Sequence, residues 1–151
     1  FLKETYARMN FESQCDLLHN LLVDGMVEAI KGTNATRIYI PNVMTQPGET
    51  DGYDVLDHVK AINKHTKGNL IDYIITNNEV IPDDCFKKYK KDGSNQVLLS
   101  KEQRNSLKNM GIKIIEGDLI EIKNDYIRHH ADSICDIIND LALNHCDDRA
   151  M

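Results

Sequence analysis

Apolar residues recur along the chain with two periods, one typical of helices and one typical of strands. A spacing of about 3.6 residues predicts helices over three stretches. These are Leu18 to Ile30 ended by Gly32, Val55 to Ile62 begun by Asp54, and a last stripe from Ile134 to Leu141. Capping and stop residues predict two shorter helices, Pro82 to Tyr89 and Ser100 to Met110. Gly25 lies inside the first helix, where it indicates close packing.

Short runs rich in β-branched residues fall between these helices. The runs are Thr36 to Ile40, Leu70 to Thr76, Val97 to Leu99, Ile112 to Ile115, and Leu119 to Ile122, which either extends its predecessor or forms a small edge. Helices that alternate with strands predict an α/β fold, here a three-layer α/β/α sandwich with a mostly parallel, Rossmann-like sheet. We expect a single domain over residues 1–151.

The segment from Asn42 to Gly52 follows the first predicted strand and is crowded with polar groups. Open α/β sheets hold ligands at the carboxyl ends of their strands. Gly48 and Gly52 also allow φ > 0 and close approach of the backbone to a ligand. The candidate ligand-binding residues of this loop are Asn42, Thr45, Gln46, Gly48, Thr50, Asp51 and Gly52. An ordinary Gly/Pro loop between a strand and a helix stays an open alternative.

Two asparagines, Asn77 and Asn78, come directly after the clearest strand. Because the carboxyl ends of parallel strands share one edge of a sheet, their amides are the next candidates to contact a ligand. The alternative is turn chemistry, since asparagine tolerates the left-handed region and caps loops.

Tyr89 and Arg128 are the remaining candidates. The Arg128 guanidinium is a fork of donors that can bind two phosphate oxygens at once, and the Tyr89 ring offers a flat face for stacking on a base. Each has an ordinary alternative. Arg128 could form a surface ion pair with Asp125 or Asp132, and Tyr89 could simply cover the packing of a helix on the sheet.

Composition and charge narrow the function classes. The net charge of −6 and a pI near 5.4 argue against nucleic-acid binding, which relies on clustered Lys and Arg. No stretch approaches the roughly 18 apolar residues of a membrane span, so we expect no membrane partner. Motifs of a serine nucleophile, a P-loop or a metalloprotease are absent, and the residues alone indicate no catalytic constellation. The cysteines lack a CxxC spacing, which favours reduced thiols in a cytosolic protein: Cys15, Cys85, Cys135 and Cys146.

Several sequence blocks carry a family resemblance. NVMTQPGETDGY at Asn42 to Tyr53 and DHVKAI at Asp57 to Ile62 occur in the order seen in the YvcK family of gluconeogenesis factors, within the CofD-like group. Further blocks agree in order, namely NLLVDGMVEAI from Asn20, IDYIITNNEVIP from Ile71, KKYKKDGS from Lys87 and IRH from Ile127. The chain therefore resembles this family over most of its length.

The resemblance implies a function that the residues alone do not. Proteins similar to YvcK are cytoplasmic, bind uridine diphosphate sugars such as UDP-N-acetylglucosamine, support gluconeogenic growth and help maintain cell shape, with no established reaction or cofactor. By motif, Tyr89 and Arg128 would hold the nucleotide sugar beside His129, and the loop from Asn42 to Gly52 would close the pocket.

Two alternatives accompany this expectation. The CofD branch transfers a phospholactyl group from a nucleotide-activated donor to a deazaflavin, and for Mg²⁺ the loop offers the carboxylates of Glu49 and Asp51. The second alternative is an inactive remnant whose open sheet edge pairs with another chain, which leaves a homo-oligomer open. A departure motivates it, since FESQCDLLH stands where the family has a glycine-rich loop, and we expect the family's N-terminal nucleotide-binding half to be missing.

Overall fold

The structure, a computed structural model, describes residues 14–123 and 126–147. The helices in chain order are α1 (Gln14–Leu21), α2 (Met26–Lys31), α3 (Val55–Thr66), α4 (Asp83–Lys91), α5 (Lys101–Asn109) and α6 (Ala131–Asp147). The strands are β1 (Ile38–Tyr39), β2 (Tyr73–Asn77), β3 (Lys113–Gly117), β4 (Ile120–Lys123) and β5 (Tyr126–His129). No helix in these ranges has the length and apolar character that crossing a membrane requires.

A parallel sheet in the order β1-β2-β3 forms the middle layer. Its central strand β2 pairs with β3 from Tyr73 opposite Lys113 to Asn77 opposite Gly117. All five residues of β2 are buried, as expected for a parallel strand covered on both faces. β4 and β5 form a separate antiparallel hairpin.

Alternate residues of the strands point into two cores. Tyr39, Ile74 and Ile114 pack with apolar residues of α1, α2, α3 and α5 on one face of the sheet. Ile75 and Ile115 pack with α6 on the other face. The predicted three-layer α/β/α fold with a parallel sheet is therefore confirmed.

Two helix starts follow the sequence closely. Asp54 accepts a hydrogen bond from the Asp57 backbone N–H at 2.9 Å, and Ser100 accepts one from Gln103 at 3.2 Å. Both are capping boxes, in which the side chain three residues into the helix bonds back to the cap. These caps fix the first turns of α3 and α5.

The structure corrects three predictions about the elements. Gly25 does not lie in a continuous helix, because it adopts φ 79° and separates α1 from α2. Nor is it closely packed, since a Cβ there would meet no atom within 4 Å. Val97 to Leu99 is not a strand; Val97 bonds to the Val43 carbonyl beside an isolated bridge between Met44 and Gln96. Leu119 to Ile122 does not extend β3, because Ile120–Lys123 pairs with β5 in the separate hairpin. Residues 124–125, which include the possible ion-pair partner Asp125, lie outside the described residues.

Candidate functional site

The loop from Asn42 to Gly52 leaves the carboxyl end of β1 and leads into α3, as the sequence predicts. Its inner part is anchored: Thr45 is 3% exposed, and its hydroxyl accepts a hydrogen bond from the Asn95 backbone at 2.8 Å. Thr50 is buried too and accepts a bond from the Gln46 backbone at 2.8 Å. These two threonines hold the loop, so their hydroxyls serve its shape.

The tip of the loop is exposed. Gly48 and Gly52 have φ values of 84° and 69°, and the Gly48 N–H donates to the Asp51 carboxylate at 2.8 Å. The Asn42 amide donates to the Gln46 side chain at a long 3.5 Å, and both residues are half-buried. The tip therefore presents polar groups to solvent, while the inner part of the loop is held in place by its hydrogen bonds.

Asn77 joins the ends of two strands to the following loops. Its amide donates to the Glu79 carbonyl at 2.7 Å, and its oxygen accepts from the backbone of Glu79 at 3.2 Å and of Leu119 at 3.1 Å. With 3% exposure it is an internal clamp, which favours the turn-chemistry alternative for this residue. Asn78 is exposed, and its backbone N–H bonds to the Gly117 carbonyl at 3.1 Å.

The β4–β5 hairpin docks on the loop and on α4. Ile127 packs with Val43 and Met44, and its backbone N–H donates to the Tyr89 hydroxyl at 2.7 Å. His129 is 8% exposed, and its Nε2 lies 3.1 Å from the Pro41 carbonyl oxygen. Tyr89 and His129 thus secure the hairpin, which places β5 against the start of the candidate loop.

Arg128 lies on the opposite face of the same strand. The burial of β5 alternates, with Ile127 and His129 buried and Tyr126 and Arg128 exposed. Within the described ranges no hydrogen bond or ion pair holds the Arg128 guanidinium, although Glu121 stands opposite it in the register. Arg128 therefore projects from a docked strand into solvent, away from the packing contacts with the loop.

An aromatic residue and a cation share this exposed face. The Lys88 ammonium of α4 lies 4.1 Å from the centroid of the Tyr126 ring. Tyr126 is 51% exposed and comes two positions before Arg128, so both side chains leave the hairpin on one side. Sequence reasoning missed Tyr126; the alternation at positions 126 and 128 is the signal that points to it.

Comparison with known families identifies the chain. The family model described as 2-phospho-L-lactate transferase CofD matches residues 16–120, well over half of the chain. The chain belongs to the CofD family.

Within the CofD family, the chain is similar to proteins called gluconeogenesis factors. It is 41% identical over 125 residues to the one from Bacillus subtilis, covering 83% of this chain and 38% of that protein. The protein of that name from Halalkalibacterium halodurans is 38% identical over 122 residues, which is 81% of this chain and 37% of that protein. A solved structure of a UPF0052 family member from Bacillus halodurans superposes with a TM-score of 0.75 and 39% identity, covering 80% of this chain and 38% of that one. This chain thus spans roughly two-fifths or less of the relatives it matches.

The loop from Asn42 to Gly52 also carries the two carboxylates that could bind Mg²⁺. Glu49 and Asp51 are both exposed, and Asp51 already accepts the bond from Gly48. In residues 14–123 and 126–147 no group of three His, Cys, Asp or Glu side chains is placed to hold a metal ion. If Mg²⁺ binds here, phosphate oxygens of the ligand would have to complete its coordination, as they do in many phosphoryl-transfer sites.

Proposed function

We propose that this CofD-family chain is a cytoplasmic, nucleotide-sugar-binding protein of the gluconeogenesis-factor type. Its ligand would be a uridine diphosphate sugar such as UDP-N-acetylglucosamine, and its role would be regulatory, supporting gluconeogenic growth and cell shape. One observation carries the proposal most directly. Tyr126 and Arg128 share the solvent face of the hairpin, and the Lys88 ammonium of α4 lies over the Tyr126 ring. The other face of the hairpin packs on the loop from Asn42 to Gly52, called the signature loop from here on.

The chemistry of that face suits a pyrophosphate linked to a base. A diphosphate presents clustered anionic oxygens, and an arginine fork with a nearby ammonium offers both bidentate and point-charge contacts. The last turn of α4 also carries two exposed lysines, Lys90 and Lys91, which add to the positive charge of this helix end. The Tyr126 ring, now covered by the Lys88 ammonium, could stack on a uracil face if the lysine moves to a phosphate.

Other candidate residues take supporting roles in this proposal. Tyr89 accepts its bond from Ile127 with a lone pair, so its own hydroxyl hydrogen stays available for a ligand oxygen. The loop tip at Gly48 to Gly52 and the exposed amide of Asn78 would contact the sugar, whose hydroxyls need donors and acceptors. Asn77, Thr45, Thr50 and His129 would shape the site from beneath.

Titration calorimetry with UDP-N-acetylglucosamine tests the proposal. We expect measurable binding by the wild-type chain and a loss of at least about tenfold in affinity for Arg128→Ala, equivalent to about 1.4 kcal/mol. Tyr89→Phe keeps the ring but loses the hydroxyl that holds Ile127 of the hairpin. We therefore expect it to lower the affinity by less than Arg128→Ala does. UDP and N-acetylglucosamine measured separately would show which half of the ligand supplies the heat.

The matched control is Lys64→Ala, which removes an exposed cation near the end of α3. It should bind like wild type, because Lys64 lies at the opposite end of α3 from the signature loop. Equal heats for wild type and Arg128→Ala, or no heat at all, would remove the proposal for this chain.

The family description favours a second candidate function. Because the matching family is described as a 2-phospho-L-lactate transferase, the chain could carry out that kind of group transfer. Incubation with Mg²⁺, a nucleotide-activated phospholactyl donor and a deazaflavin acceptor would then consume the donor. An unchanged donor over hours would reject this candidate and leave the binding function standing.

A further inference from the structure

The exposed face of the β4–β5 hairpin has two ends that differ in charge. At one end Tyr126 is paired with Lys123 in the register, and the Lys88 ammonium lies over the Tyr126 ring. At the other end Arg128 is paired with Glu121. These four hairpin residues are all exposed, and residues paired across an antiparallel hairpin project to the same side. One end is therefore cationic and aromatic, whereas the other combines an arginine with a carboxylate.

The end with Glu121 adjoins the signature loop and the carboxyl end of β2. His129 lies at this end, and its Nε2 is 3.1 Å from the carbonyl oxygen of Pro41, the residue before the loop. Leu119 comes two positions before Glu121, and its backbone N–H donates to the Asn77 side chain at 3.1 Å. In the proposed function the sugar contacts the loop and the residue that follows β2. Glu121 is therefore at the end of the hairpin that faces the sugar.

The covalent order of the ligand agrees with this direction. In a uridine diphosphate sugar, the diphosphate lies between the base and the sugar. From a uracil stacked on Tyr126, two residues along β5 span about 7 Å to Arg128, which puts the arginine fork within reach of the diphosphate. The sugar attached to that diphosphate then reaches Glu121, which stands directly across from Arg128.

The Glu121 carboxylate is suited to bind sugar hydroxyls. Within residues 14–123 and 126–147 no hydrogen bond or ion pair holds it, although Arg128 is its partner in the register. An ionised carboxylate only accepts hydrogen bonds, so it can bind the hydroxyls of a neutral sugar. A second carboxylate cannot donate to it and is repelled by its charge. The pairing of Arg128 with Glu121 thus favours neutral sugars over acidic ones.

We propose that Glu121 determines the sugar specificity of this site, selecting nucleotide sugars with a neutral sugar over those whose sugar carries a carboxylate. This role rests on the proposed nucleotide-sugar function and adds a residue which that function does not use. Arg128 alone would attract an acidic sugar, and the negative charge across from it offsets that attraction. A like charge beside the distinguishing group of a competing ligand is a general source of specificity.

Calorimetry with two ligands tests the role of Glu121. UDP-N-acetylglucosamine carries a neutral sugar and UDP-glucuronic acid an acidic one. We expect the wild-type chain to bind the neutral ligand at least about fivefold more tightly, and Glu121→Gln to reduce this preference below about twofold by strengthening binding of the acidic ligand. The glutamine amide still bonds to hydroxyls, so binding of the neutral ligand persists. Because both ligands contain UDP, any effect of the substitution on the diphosphate cancels in the ratio.

A second variant and a control separate charge from structure. Glu121→Lys should reverse the preference, and it decides the test if Glu121→Gln does not fold. Glu28→Gln removes an exposed carboxylate from α2, which packs in a different core cluster from the hairpin, so the wild-type preference should persist. Thermal unfolding of each variant verifies that it folds. Raising the salt concentration from about 0.05 M to about 0.5 M should shrink the wild-type preference, because screening weakens repulsion between charges.

The outcomes distinguish the role of Glu121 from the function on which it rests. No binding of either ligand by the wild-type chain overturns both. If the wild-type chain binds the acidic ligand as tightly as the neutral one or more tightly, the role of Glu121 is wrong and the nucleotide-sugar function stands. The same holds if the folded Glu121 variants keep the wild-type preference.

Discussion

His129 illustrates how a side chain that resembles a ligand contact can serve the fold. Burial holds the pKa of this imidazole below its ordinary value of 6.5, and the bond to the Pro41 carbonyl opposes the shift only in part. The pKa of His58, fully buried in α3, is lowered by burial as well. Both rings are therefore more easily protonated in the unfolded chain than in the folded one.

The sign of the resulting pH dependence follows from this difference. Because the folded pKa lies below the unfolded one, the contribution of each histidine to stability is complete above about pH 6.5. That contribution is lost as the pH falls from about 6.5 toward the folded pKa. We expect the free energy of unfolding to decrease between about pH 7.5 and pH 5, and His129→Gln to flatten this decrease. Arginine partners lower the pKa values of Asp72 and Glu116, so the contributions of these carboxylates to stability are lost only below about pH 4.5. Urea unfolding of the wild type and of His129→Gln at several pH values measures this decrease in the free energy of unfolding. The same decrease in both proteins would show that His129 does not cause it.

At the scale of helices and strands, the sequence predicts interactions between neighbouring residues but not contacts between distant segments. The capping boxes at Asp54 and Ser100 could be predicted because each involves residues three positions apart. Val97 to Leu99 has strand-forming composition, but the Val97 N–H bonds to the Val43 carbonyl beside an isolated bridge rather than within a strand ladder, so composition alone predicts a strand that does not form. Gly25 was misassigned because the helical period continues across it while its φ is positive.

The caps of α3 and α5 differ in their second partner, because the Ser100 hydroxyl donates to the exposed Glu102 carboxylate of its own helix at 2.9 Å, whereas Asp54 reaches another helix. Besides the Asp57 backbone, the Asp54 carboxylate accepts a hydrogen bond from the Gln103 side chain, which ties α3 to α5. Asp54→Ala should therefore lower the free energy of unfolding by about 1–2 kcal/mol, and Ser100→Ala by about 0.5–1 kcal/mol. Denaturant unfolding of the two variants gives the comparison. Equal losses would mean that the contact of Asp54 with Gln103 contributes no more than the exposed bond from Ser100 to Glu102.

At the scale of the whole molecule, the layers could be predicted and the hairpin could not. Alternation of strands and helices fixes the sandwich, and the signature loop is visible because it is continuous in sequence. The bond from Ile127 to Tyr89 spans 38 positions, and the contact of Lys88 with Tyr126 crosses from a helix to a hairpin. No periodicity encodes such pairs, so the docking of the hairpin and the exposed direction of Arg128 came only from the structure.

The central strand should dominate the stability of this arrangement. Ile75 is fully buried between β2 and α6, so Ile75→Ala should cost roughly 2–5 kcal/mol through lost burial and a residual cavity. Ile122, 42% exposed on the hairpin, is the matched control, and Ile122→Ala should change stability by less than about 0.5 kcal/mol. Thermal or urea unfolding measures both. A similar loss at the two positions would contradict the assignment of the core.

The open surroundings of Gly48 have a stereochemical consequence. Its φ is 84°, which disfavours an L-amino acid, but a Cβ would meet no atom within 4 Å. The position therefore has space for a side chain and is unfavourable only for one of L configuration. In a chain assembled by chemical ligation, D-alanine at residue 48 should fit without strain and stabilise the fold by about 0.4–1 kcal/mol, while L-alanine should destabilise it. Melting curves of the two diastereomers would show whether this bend is selected by chirality alone.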